Sequence, residues 1–133
     1  MTKGNIDLGL LILRLWFGLE MALMHGLPKV MKILGGDFTF ADPLGLGPTV
    51  SLILAGSAEF FGGLLIAAGL FTRLAVLPYL FTMLVAAFIV HWGDPWGKMA
   101  TPLHYAIAAT VLICTGPGRY SLDHKLFVTT IKP

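Results

Sequence analysis

Four apolar stretches, residues 6–27, 49–70, 74–92 and 101–116, take up most of the chain and constrain its fold more tightly than any other feature. At about 1.5 Å of rise per residue, each is long enough or nearly so to cross a hydrocarbon core as an α-helix. They predict an all-α integral membrane protein: an antiparallel four-helix transmembrane bundle forming a single domain over 1–133. Composition points the same way, because 56% of residues are hydrophobic and only 12% charged, too few to coat a soluble domain of this size. The first stretch has the position of a secretory signal. It carries Arg14 and Glu20, has Lys3 alone as a flanking base and lacks a small-residue cleavage site, so it is read as a retained span.

The links between stretches set the topology. Residues 69–73 (Gly-Leu-Phe-Thr-Arg) suffice only for a tight turn, which makes the second and third spans an antiparallel hairpin. The termini and this turn hold Lys3, Arg73, Arg119, Lys125 and Lys132, against Lys29, Lys32 and Lys98 on the other side. That asymmetry places both termini in the cytoplasm of a cell (inner) membrane. Trp92, Trp96 and Tyr105 are expected at the outer interface, and Tyr79 and Tyr120 at the inner one. The outer loop, 29–48, sets glycines and prolines beside Asp37, Phe38, Phe40 and Asp42. Either it folds over the outer mouth of the bundle or its two Phe rings rest among lipid headgroups.

Charge inside the spans points to a site. Arg14, Glu20 and Glu59 would each cost about 2.5–3.5 kcal/mol at a helix centre, so each needs a partner or a polar pocket. Glu59 lies beside Ala55, Ala58, Gly62, Gly63 and Ala67, a small-residue surface suited to close helix packing, and is therefore directed inward. Arg14, Gly18, Met21 and His25 follow one helical stripe. Arg14 sits about 12 Å and Glu59 about 17 Å from the inner ends of their spans, depths compatible with an ion pair. Such a pair could serve chemistry or simply lock helix order. Glu20 points roughly 120° from the stripe and needs another helix, another subunit or protonation in place.

Three imidazoles, His25, His91 and His104, fall near the outer ends of three spans, and Lys29 follows His25 by one turn. If they converge they could ligate a metal or haem, relay protons or hydrogen-bond the head of a quinone. The bland alternative is that each sits singly at the interface, bonded to a carbonyl or water. A lone cysteine, Cys114, excludes disulfide exchange within the chain and reads as a small core residue. Phosphate-binding loops, serine elbows and zinc-finger spacings are missing, and the scattered basic residues do not suit nucleic acid.

Taken in order, Arg14 with Gly18, His25-Gly26-x-x-Lys29, Glu59-x-x-Gly62-Gly63, Gly69 with Thr72-Arg73, His91, and Gly116-x-Gly118-x-x-Ser121-x-Asp123 resemble the DoxX family of small four-span membrane proteins. The family takes its name from a membrane subunit of an archaeal thiosulfate:quinone oxidoreductase. The resemblance implies a subunit or accessory of quinone-linked membrane redox chemistry, with quinone as the candidate cofactor and family polar positions at Arg14, His25, Lys29, Glu59 and His91. Glu59, Arg14 and His91 are then the candidate catalytic residues and His25 and Lys29 the candidate cofactor-binding ones, joined by His104, whose role rests on its place near the outer end of its span and not on the resemblance. The partners implied are the lipid bilayer, a membrane redox protein and a further copy of the chain. The competing reading is a non-catalytic structural subunit or assembly factor. A small transporter is a third, needing a dimer to form a pathway because no internal repeat is visible. In the tail, Gly116 and Pro117 end the last span, and Asp123 is expected to bond nearby backbone or Arg119.

Overall fold

The computed structural model describes residues 3–128, with side chains from Gly4 onward; Lys132 and the Lys3 side chain, used in the charge comparison, lie outside the described residues. Helix α1 (Lys3–Glu20) runs through a π-helical segment (Met21–Gly26) into α2 (Leu27–Leu34). After a loop come α3 (Pro48–Ala68), α4 (Thr72–Val85) with a π-helical continuation (Ala86–Val90), α5 (Trp96–Thr115) and a short π turn (His124–Val128). There is no strand among the described residues.

The first helix is longer than expected. The expected span stops at residue 27, yet the helix runs on to Leu34, with Pro28 in the first turn of α2, where a missing N–H matters least. The preceding turn is widened, with the Leu27 N–H bonding Ala22 O five residues back. Lys29 and Lys32 therefore lie on a helix, and the outer loop shrinks to 35–47. Asp42 holds that loop together by accepting from Leu46 N, Gly47 N and Ser51 Oγ, each at 2.9 Å. Asp37 accepts from Thr39 N and Oγ1.

Helix α3 is central, packing on α1, the first π segment, α2 and α4, while α5 covers α4 and the second π segment. Its contact with the first helix is backbone on backbone. A Cβ on Gly18 would lie 2.7 Å from Gly63 O, one on Gly63 2.7 Å from Gly18 O, and Gly26 sits directly on the Phe60 backbone. Small residues permit this approach, the arrangement that drives association where lipid removes the hydrophobic incentive.

Arg14 and Glu59 are buried among apolar side chains such as Leu52, Ile66 and Val76, while the large apolar residues Trp16, Leu74, Leu77, Phe81, Trp92 and Ile107 are exposed. Among the described residues, α3 and the continuous helix 72–90 are each long and apolar enough to cross a membrane. Arg14 and Glu20 in α1 and Lys98 in α5 lower the apolarity of the other two.

Several side chains differ from expectation. Tyr79 and Tyr105, assigned to the interfaces, are 2% and 4% exposed in the core. Tyr79 shares its four-residue stripe with buried Ala75 and Met83, a spacing that outranks the preference of tyrosine for interfaces. Cys114, taken for a core residue, is exposed.

Candidate intramembrane site

Glu59, on the inward face of α3, is buried, and Lys29 reaches it from α2 with Nζ 2.5 Å from Oε2. The same ammonium donates to His25 O at 3.2 Å, and the Phe40 ring from the outer loop lies 5.8 Å from it. The pair borders a cavity of about 400 Å³ lined by Met21, His25, Lys29, Glu59, Met83, Ala86, His91, Lys98, Thr101, Pro102 and Tyr105. Met21 and His25 belong to one π segment and Ala86 to the other. Widened turns of this kind recur at functional sites because they re-aim side chains without breaking the helix.

An aromatic wall closes one side. Tyr105 meets His25 edge-on at 5.6 Å, Phe17 at 5.6 Å and Tyr79 at 6.5 Å, and the Tyr79 hydroxyl donates to Phe17 O. Glu20 is half-buried on α1 and borders an apolar groove with Ile12, Trp16 and Leu23. At the rim, His91 Nδ1 is 3.0 Å and Lys98 Nζ 3.8 Å from Asp94 Oδ2. The hydrogen bond with His91, with the Lys98 charge adding to it, holds the Asp94 carboxyl below its ordinary range.

Arg14 is elsewhere, and the expected Arg14–Glu59 ion pair does not form. Its guanidinium, fully buried, donates to Ala67 O at 2.9 Å, Ile66 O at 3.4 Å and Tyr120 O at 2.6 Å. The last carbonyls of α3 carry the negative end of the helix dipole, and although Ile66 O also accepts from Gly69 N, a buried cation suits them. Ala67 lies about 12 Å along α3 from Glu59, a separation hidden when depth is counted from span ends. Asp123 completes this junction, accepting from Phe71 N and Thr72 N at the start of α4 while its own N–H bonds Gly69 O. Arg119 pairs with Asp7 rather than Asp123.

Of the three imidazoles, His25 and His91 line the cavity. His104 is exposed and does not. Among the described residues no group of three or more His, Cys, Asp or Glu side chains could hold a metal ion, so the histidines do not form the ligand set considered from their number. Tyr105, Asp94 and Lys98 join the site without having been singled out. Asp94 follows His91 by three residues, and Tyr105 follows Thr101 by four on the cavity face. Those spacings were the available signals.

The family model of DoxX matches residues 9–92, a segment holding Arg14, His25, Lys29, Glu59 and His91 but not α5 or the tail. A Haemophilus influenzae protein described as uncharacterized is 29% identical over 119 residues, covering 80% of this chain and 83% of that one. Inner membrane protein YphA of Escherichia coli K12 is 34% identical over 115 residues, covering 77% of this chain and 80% of that protein. No solved structure matches. With the family model across more than half its length and an inner membrane protein among its relatives, the chain belongs to the DoxX family and is a membrane protein.

Proposed function

We propose that this protein is a subunit of quinone-linked membrane redox chemistry, its four helical stretches crossing the bilayer as an antiparallel bundle with both termini in the cytoplasm. The observation that carries the reading is buried Glu59 paired at 2.5 Å with the partly buried Lys29, opening on a cavity of about 400 Å³ beside His25 and Tyr105. Intramembrane ionisable groups that line a cavity are functional by default.

The residues fit a quinone head. Met21, Met83 and Pro102 supply apolar walls, and Lys29, His25 and Tyr105 place N–H and O–H donors among them, in a volume within the usual small-ligand range of roughly 300–1,000 Å³. A quinone, when bound, supplies a carrier of two electrons and two protons. Lys29 and His25 would bind and orient it through their N–H groups, the Lys29 charge favouring negative charge nearby, and Glu59 would hold or release a proton at the Lys29 contact. His91, bonded to Asp94 at the rim, passes protons between the cavity and the outer surface. Arg14, with its donors on three carbonyls, keeps a positioning role instead of a catalytic one. His104, exposed, stands outside this scheme.

The test is turnover of the parent redox complex carrying Glu59→Gln or His25→Gln. Quinone reduction should fall by about a hundredfold, the usual worth of a positioned proton-transfer group, with folded protein retained. Unchanged turnover contradicts the proposal. Activity lost only in proportion to protein yield supports the second reading, a non-catalytic structural subunit or assembly factor. That reading is favoured by the carbonyl-capping role of Arg14 and by the apolar groove of Ile12, Leu15, Trp16, Leu19 and Leu23 around Glu20, a surface for a redox partner or a second copy.

A further inference from the structure

At the end of the molecule opposite the Lys29–Glu59 cavity lies a second hollow, of about 620 Å³, with Arg73 and Arg119 beside Phe71, Leu74, Phe127 and Val128. Its charges are unequally committed. Asp123 accepts from the Phe71 and Thr72 amides and its charge is offset by the buried Arg14, and Asp7 is taken by Arg119. Arg73 makes no hydrogen bond or ion pair among the described residues, and its guanidinium lies over Gly116, with Nη2 3.7 Å from where a Cβ would be. One cation without a counter-charge therefore faces the hollow.

The apolar side is as uneven. Phe71 adopts φ 47°, the left-handed region that favours glycine, yet holds a large ring that is 52% exposed. That ring lies 5.8 Å from Phe127, and Leu74 and Val128 extend the same exposed surface. A bare guanidinium next to a strip of exposed apolar side chains matches a molecule that is anionic at one end and hydrocarbon at the other.

We propose that this hollow is a binding site for an anionic phospholipid, its phosphate on Arg73 with help from the outer edge of Arg119, and its acyl chains along Phe71, Leu74 and Phe127. The assignment is independent of the redox reading, since no residue is shared between the two sites.

The experiment is native mass spectrometry of the full chain, purified in mild detergent and titrated with phosphatidylglycerol or with phosphatidylcholine of the same chain length. Wild type should retain phosphatidylglycerol in preference, and Arg73→Gln should lower that retention by about fivefold, the usual worth of one basic residue at an anionic membrane surface. Lys98→Gln, at the opposite end, should leave it unchanged. Arg73 is exposed and unbonded, so its variant should keep the wild-type gel-filtration profile. Leu74→Gln should weaken retention of both lipids. Equal retention of the two lipids, or an Arg73→Gln variant that binds phosphatidylglycerol as well as wild type, overturns the proposal. Displacement of the lipid by millimolar inorganic phosphate overturns it in favour of a soluble anion.

Discussion

Lys29→Met leaves the Glu59 carboxylate buried with its counter-charge removed, a change that typically costs about 3–5 kcal/mol. The double replacement Lys29→Met with Glu59→Leu should recover most of that loss, since an ion pair exchanged for apolar side chains is often neutral. Thermal unfolding in detergent measures both, and a double variant as unstable as the single one would show that the pair does more than balance charge. Arg14→Lys should fail to rescue Arg14→Met, because three carbonyls on two segments need a forked donor and an ammonium cannot span them. At this scale the identity of the polar residues was legible and their pairing was not. Residue type marked Arg14 and Glu59 as groups that must turn inward, and both are buried. Pairing depended on where helices begin and on which way long side chains lean, and Arg14 leans to the end of α3 rather than along it.

Helix contacts turn on single atoms. Gly18→Ala or Gly63→Ala would put a methyl 2.7 Å from a backbone oxygen on the facing helix, so each should lower stability by about 1–3 kcal/mol through forced separation. Gly4→Ala, where nothing lies within 4 Å, should not. Measured melting temperatures that fail to separate these variants would contradict the packing described. The small-residue surface of α3 was readable from spacing; its partner on α1 was only partly so, because the π segment shifts register beyond Met21 by about one residue, roughly 100°. The loop after α2 carries its own test. Burial works against the charged form of Asp42, and hydrogen bonds from Ser51, Gly47 and Leu46 outweigh it, leaving the carboxyl below its ordinary value. Asp37 is lowered by the Thr39 hydroxyl and amide. A carboxyl whose folded value is depressed adds stability that is present above the unfolded value and lost as pH falls through the folded one. The Leu46 and Gly47 amide resonances should therefore shift with a midpoint below 3.8, the ordinary value for Asp, and a midpoint above it would contradict the Asp42 contacts.

The whole molecule embeds a few polar groups in an apolar core and exposes many large apolar side chains, joined at one end by the Arg14–Tyr120–Asp123 junction and opened at the other by the Lys29–Glu59 cavity. Hydropathy made the helical, membrane-embedded character legible, since it depends on composition summed over many residues. Convergence of His25 and His91 without His104 was not legible, because it depends on the rotation of α5, and its stripe of buried residues runs through Tyr105 and Ala109. On the proposed function, the cavity beside Glu59 would hold a quinone. The most direct measurement is equilibrium binding of a short-chain ubiquinone to the purified protein, wild type against Glu59→Gln and His25→Gln, with Arg73→Gln as the control at the far end. Saturable binding that weakens about tenfold or more in both cavity variants, at a cost of about 1.4 kcal/mol, and stays unchanged in the control is the result predicted. Binding absent from wild type, or equal in all four proteins, would contradict it.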